Sequence, residues 1–138
     1  MIEIAELAHP ADVGDGIIRE RAVRAKAKLS RQFVARVDGR EAGYLSFDDR
    51  SDIGTGVIYE VFVLPRFRQQ GIGSRLLAFV EELAAGLQCA RLRLSAIPFD
   101  RSVTQNWLDT WYRRRGFLPA SDGSHELEKD ISARSGAA

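Results

Sequence analysis

Apolar and polar positions along the chain follow two rhythms, and each change of rhythm marks a new element. Ile2-Glu3-Ile4-Ala5-Glu6-Leu7 alternates and predicts a short strand, ended by His9-Pro10. Ile17, Ile18, Ala22, Ala25 and Leu29 recur at helical spacing among arginines and lysines, which predicts an amphipathic helix capped by Asp12 or Asp15. The period returns to two over Gln32 to Val37 and Glu41 to Phe47, with Asp38-Gly39 between them as a hairpin turn. Asp48-Asp49-Arg50-Ser51-Asp52 is expected to be an acidic loop, either a solvated turn or a feature that draws a cationic substrate. Ile58 to Leu64, rich in β-branched and aromatic residues, predicts a strand stopped by Pro65, where a backbone donor is lost.

In the second half, Leu76, Phe79 or Val80, Leu83 and Leu87 share one face of a helix expected from Gly73 to Leu87, with Gly86 near its end. Ala90 to Ala96 alternates and predicts the strand that returns after that helix in a βαβ crossover. Ile97 to Gln105 loses periodicity and is a candidate wall of a substrate pocket. Asp100, Ser102 or Thr104 can cap a second amphipathic helix carrying Trp107, Leu108, Trp111 and Tyr112 and ending at Gly116. Glu126 to Ile131 predicts a weak last strand. The expected organisation is one domain over residues 1–131 and a flexible tail over 132–138.

Composition narrows the function classes. The 138 residues are 45% apolar, enough for one sizeable core, and a formal net charge of +1 supplies no global attraction to nucleic acid or an anionic membrane. No apolar run approaches the roughly 20 residues of a membrane span, and the N-terminus lacks the pattern of a signal peptide, so the expected location is the cytoplasm. Cys89, the single cysteine, excludes an internal disulfide and a cysteine-rich zinc site and is expected to be a small buried filler. His9 and His125 lack metal-ligand spacing, so no metal is expected. Arg113, Arg114 and Arg115 suit a helix C-terminus, where the dipole favours cations.

The chemistry-bearing stretch is Ile58 to Leu77, where an apolar strand meets a basic glycine turn and passes into a helix. Gly71 and Gly73 let the backbone approach a ligand closely, and the helix behind them aims its N-terminal amides at the same place. Arg66, Arg68 and Arg75 surround the turn and no acid lies between Pro65 and Val80, so the stretch predicts an anion site. It lacks the Gly-Lys-Ser/Thr of a P-loop, and Leu76 stands where a dinucleotide fingerprint needs its third glycine.

Arg68-x-x-Gly71-x-Gly73 resembles the pyrophosphate signature Q/R-x-x-G-x-G/A of the Gcn5-related N-acetyltransferase (GNAT) superfamily, and Tyr112-x-x-x-Gly116-Phe117 is a second match. The resemblance runs along nearly the whole chain. It implies an α/β (α+β) fold with a mixed, mostly antiparallel sheet of six to seven strands, a splayed central β4/β5 pair and three to four flanking helices. It further implies acetyl-CoA as co-substrate, bound at Arg68 and with its pyrophosphate held by the backbone amides of Gln69, Gln70, Gly71, Ile72, Gly73 and Ser74. The backbone of Val61, Phe62 and Val63 would pair with the pantetheine arm. Asn106, six residues before Tyr112 and one short of the family spacing, is the matching pantetheine contact. The Tyr112 hydroxyl would meet the departing thiolate.

An attacking amine must be neutral, yet an alkylammonium is only about one part in 2,500 neutral at pH 7. The strand residue Glu60 is the candidate base, directly or through a water, against the alternative of a polar residue on a solvated strand face. Ser95, in a water relay, is the fallback. The expected function is acetyl transfer from acetyl-CoA to a primary amine on a small molecule, peptide or protein by direct attack in a ternary complex. The alternative is a catalytically silent CoA-binding sensor or interaction module. Neither nucleic acid nor a membrane is an expected partner, and a homodimer is left open.

Overall fold

Asp38 and Gly39 both take left-handed backbone (φ 50° and 84°), the condition for a tight type I′ hairpin, and they join β2 (Ser30–Val37) to β3 (Arg40–Arg50). The computed structural model describes residues 1–25, 30–98 and 103–135. β1 (Ile2–Glu6) runs antiparallel to β2, from Ile2 opposite Val37 to Glu6 opposite Phe33. β4 spans Thr55–Val63, β5 Arg91–Leu94, β6 Leu118–Pro119 and β7 Leu127–Asp130. The mixed sheet has the order β1-β2-β3-β4-β5-β7-β6. Three helices of eight residues or more accompany it among the described residues: α1 (Gly16–Arg24), α2 (Ile72–Gly86) and α3 (Gln105–Arg113).

The chain groups into two compact units, the first built from Met1–Asp49 with Ile58–Leu83 and the second from Arg50–Val57 with the chain from Ala84 onward. In the first unit β3 is buried on both faces, every residue from Ala42 to Asp48, which is why its alternation is only partial in the sequence. One face meets α2: a Cβ added at Gly43 would lie 3.2 Å from Ile72 and 3.3 Å from Leu76, so this glycine sets how closely helix and strand approach. Phe33 meets Phe79 edge-on at 4.9 Å on that side. The opposite face carries Tyr44, Ser46 and Asp48 and lies under α1, whose Ala22 carbonyl accepts from the Gln32 side chain at 2.7 Å. Asp15 caps α1, its Oδ1 accepting from the amides of Ile17 and Ile18 at 2.9 Å each.

In the second unit β7 is flanked by β5 and β6, with Arg91 opposite Asp130 and Leu94 opposite Leu127. Arg93 binds this hairpin from β5, reaching Asp122 at 2.8 Å and Glu126 at 2.7 Å. Thr104 caps α3 by accepting from the Trp107 amide at 3.1 Å, and Gly116 (φ 94°) turns the chain out of it.

Several expectations need correction. The acidic loop is not a loop: Asp48 and Asp49 belong to β3, and only Ser51–Ile53 forms a short turn, with Arg50 held to Asp52 at 3.1 Å. β3 continues because Phe47 and its neighbours are buried, which outweighs the low strand propensity of aspartate. Ile17 points outward rather than into the core, where Ile18 and Ala22 lie. α2 ends at Gly86, as expected, and the chain leaves it through Gln88 (φ 67°), with the Cys89 amide reaching back to the Ala84 carbonyl at 3.0 Å. β6 was not expected, because two residues leave no periodic pattern. Cys89 is fully buried. Ser132–Ser135 forms a short helix opened by Asp130, which accepts from the Ser132 amide at 2.8 Å. Leu29, Asp100 and Ser102 lie outside the described residues.

Candidate functional site

The glycine turn is fixed at both ends. The Leu64 amide donates to the Ala42 carbonyl at 2.8 Å, Pro65–Phe67 makes one tight turn with Phe67 buried, and the Arg68 Nε donates back to the Val63 carbonyl at 3.0 Å. Arg68 is thus a brace for the turn as well as a positive charge beside it. Gln69 (φ 65°) and Gly71 (φ 78°) both take left-handed backbone. For a glutamine this costs on the order of 1–2 kcal/mol, a cost that marks a turn built for close approach. A Cβ on Gly71 would meet nothing within 4 Å, so the backbone there faces open space.

α2 opens at Ile72, whose side chain is core, and its ladder begins with the Arg75 amide on the Gly71 carbonyl at 3.0 Å. This end of the helix is where the dipole favours negative charge. Arg66 approaches Asp15 only at 3.9 Å and keeps most of its surface in solvent. These features fit the polyphosphate end of a CoA-type co-substrate. Val61 and Val63 are half-buried and Phe62 is buried on the strand leading to the turn.

Glu60 lies on the same strand and is 7% exposed, so the solvated-face alternative is overturned. Alternation along β4 puts it on the buried face with Ile58 and Phe62. The Arg21 Nη1 of α1 donates to its Oε2, and the Arg21 guanidinium lies over the Phe62 ring, 3.7 Å from the centroid. Burial raises the Glu60 pKa above the usual carboxylate range, and the Arg21 charge pulls the other way. Tyr44 stands nearby, its hydroxyl accepting from the Gln32 side chain at 3.0 Å. Burial foremost, with the Glu60 charge adding to it, pushes the Tyr44 phenol up to about 12, so it stays a neutral donor. Ser46 and Ser30 extend this polar strip, their hydroxyls 3.2 Å apart.

The other two expected residues belong to the second unit. Tyr112 is buried on α3, edge-on to Trp111 at 5.0 Å and to Phe117 at 5.6 Å, and Asn106 is exposed on the first turn of the same helix. The Phe117 amide donates to the Tyr112 carbonyl at 3.2 Å, so the Tyr-x-x-x-Gly-Phe segment is a helix-closing device that fixes the tyrosine ring. Ser95, on the segment after β5, is exposed.

The sequence reading missed Arg21, Gln32, Tyr44 and Ser46 as parts of a site, and it weighed Asp48 only within an acidic loop that could draw a cationic substrate. A signal existed for two groups of them. Arg21 sits three residues after Ile18, on the stripe that α1 buries, and Tyr44, Ser46 and Asp48 put polar groups at every second position of a strand otherwise apolar on both faces.

A strand closed by a braced left-handed turn at a helix N-terminus suits an anion, and comparison with known proteins gives the family. Residues 28–119 match the model of the acetyltransferase (GNAT) domain, and the chain belongs to that family. An uncharacterised N-acetyltransferase of Archaeoglobus fulgidus is 32% identical over 97 residues, a match covering 64% of this chain and 56% of the relative, so the chain spans little more than half of that protein. Among solved structures, a GNAT family acetyltransferase from Elizabethkingia anophelis with acetyl-CoA bound matches with TM-score 0.69 and 14% identity, covering 94% of this chain and 97% of the other. The KacTA–DNA complex matches with TM-score 0.73 and 16% identity over 99% and 97% of the two chains. At these identities the likeness is one of fold.

Proposed function

We propose that this protein transfers an acetyl group from acetyl-CoA to a primary amine by direct attack within a ternary complex. The observation that carries the reading is the turn from Arg68 to Ser74, with left-handed Gln69 and Gly71, no acid in the sequence from Pro65 to Val80 and the N-terminus of α2 behind it. Family membership and the acetyl-CoA complex of the Elizabethkingia relative support it. Acetyl-CoA supplies the activated acyl carbon. The backbone of residues 69–74 holds its pyrophosphate, the backbone of Val61 to Val63 and the Asn106 side chain bind its pantetheine arm, and the Tyr112 hydroxyl donates to the departing sulfur.

Glu60 takes the proton from the acceptor ammonium. Its raised pKa brings it closer to the amine in basicity, which favours that transfer, while Arg21 keeps it in the charged form that can accept. The Arg21–Glu60 pair also favours a second reading, a silent CoA-binding module, because a carboxylate engaged by a guanidinium is a weaker acceptor. Nucleic acid has no part in the proposed reaction; the neighbour solved with DNA is alike in fold alone.

Glu60→Gln separates these readings. It should lower kcat/KM about 10²- to 10⁴-fold near pH 7, with much of the loss recovered as pH rises and free amine becomes abundant. A variant that matches the parent across the pH range would remove Glu60 from the mechanism and move the search to Ser95.

A further inference from the structure

In the first unit Arg21, Arg24, Arg31 and Arg36 each have a carboxylate partner, at Glu60, Glu20, Glu6 and Glu41. Arg40 and Arg66 stand apart. The Arg40 side chain makes no hydrogen bond or ion pair among the described residues, and Arg66 reaches no carboxylate among them but Asp15, at 3.9 Å. The acids close by are engaged elsewhere. Asp15 accepts from the amides of Ile17 and Ile18, and Glu41 accepts from those of Gly14 and Asp15 and pairs with Arg36.

Both guanidiniums converge on one buried ring. Arg40 lies 5.6 Å and Arg66 5.2 Å from the centroid of Phe67, which is 7% exposed. The two charges are therefore within about 11 Å of each other, and they repel. The fold imposes this: the Leu64 amide on the Ala42 carbonyl docks the start of β3 against the turn Pro65–Phe67, which carries Arg66. An anion beside the two guanidiniums would offset the repulsion and accept charge-assisted hydrogen bonds from both, and the planar forks of arginine match phosphate oxygens.

We propose that Arg40 and Arg66 bind the 3′-phosphate of CoA, so that this chain selects CoA over its 3′-dephospho form. The proposal rests on the acetyl-CoA reading above and adds a recognition element to it. In that reading the amides of residues 69–74 and the N-terminus of α2 serve the pyrophosphate, which leaves the phosphomonoester to side chains. A phosphomonoester carries about −1.5 to −2 charges at pH 7, enough to engage two arginines. Arg66 stands two residues ahead of the brace Arg68, so both sites belong to one continuous turn, and Arg40 joins it from the β2–β3 hairpin.

The test measures binding of CoA and of 3′-dephospho-CoA by calorimetry, with no acceptor and no turnover, in the parent, Arg40→Gln, Arg66→Gln and the double variant. Both side chains are exposed, so the variants should fold, and their melting temperatures without ligand check this. The parent should bind CoA about tenfold or more tightly than 3′-dephospho-CoA, the scale of one hydrogen bond to a charged group. Each single variant should shrink that preference. The double variant should bring it toward unity and leave affinity for 3′-dephospho-CoA nearly unchanged. Arg24→Gln, the same change of charge at the exposed pair with Glu20, should keep the preference of the parent.

Equal binding of the two carriers by the parent, or a preference that survives in the double variant, overturns the phosphate site and leaves the acetyl-CoA reading standing. A preference lost as fully in Arg24→Gln also overturns the site, since overall charge would then account for it. Absence of binding to either carrier overturns the site and the acetyl-CoA reading together.

Discussion

Arg21 on α1 and Glu60 on β4 form an ion pair in which both side chains are largely withdrawn from solvent, at 16% and 7% exposure. Burial alone would drive Glu60 toward its neutral form, and the guanidinium, itself seated over Phe62, opposes that tendency. Arg21→Ala should therefore destabilise the protein by about 3–5 kcal/mol, since it strands a buried charge, whereas replacing both partners with apolar residues should cost far less. Urea unfolding of the single and double variants measures the difference. Equal losses in the two would show that the cost lies in packing rather than in the unpaired charge.

The same pair gives stability a dependence on pH. The folded-state pKa of Glu60 is raised, so between its ordinary value near 4.5 and that raised value the native protein binds more protons than the unfolded chain. The contribution of this group is fully present below the ordinary value and is lost as pH rises through the folded pKa. Glu60→Gln does not titrate. The stability of the parent relative to this variant should fall as pH rises through that window, and a flat difference would mean that Arg21 cancels the burial completely.

Gly71 takes φ 78° with open space where a side chain would stand. Gly71→Val should fold, at a cost of about 1–2 kcal/mol for the left-handed backbone, and should lose the rise in melting temperature that acetyl-CoA gives the parent. An undiminished rise would mean that the pyrophosphate does not sit on this turn.

How legible these features were depends on the range over which each is encoded. The glycine turn, the Asp38-Gly39 hairpin and the Gly116 helix end are local, each set by a backbone conformation that few residues adopt, and the sequence marks them directly. The Arg21–Glu60 pair joins residues 39 positions apart and exists only because α1 covers one face of β3 and β4. Glu60 was identifiable as a polar residue on a strand, but its burial was not, because alternation shows that two faces differ without showing what covers each. Asp48 misled for the opposite reason: a run of acids reads as a loop until the burial of its neighbours is known.

Tyr112 is held by aromatic neighbours on α3 and just beyond it, so its ring and its hydroxyl can be tested apart. Tyr112→Phe keeps the packing and removes the donor. If the hydroxyl serves the departing thiolate, kcat should fall roughly 10²-fold or more with CoA affinity nearly unchanged. Near-normal turnover would leave the tyrosine a packing residue only.

Acetyl transfer to an amine is tested most directly by following free thiol from acetyl-CoA across a broad panel of monoamines, diamines, amino sugars and peptides. Thiol release should depend on the amine and match the acetylated product one for one. Acetyl-CoA binding without amine-dependent thiol release anywhere in the panel would contradict the enzyme reading and leave a CoA-binding module in its place.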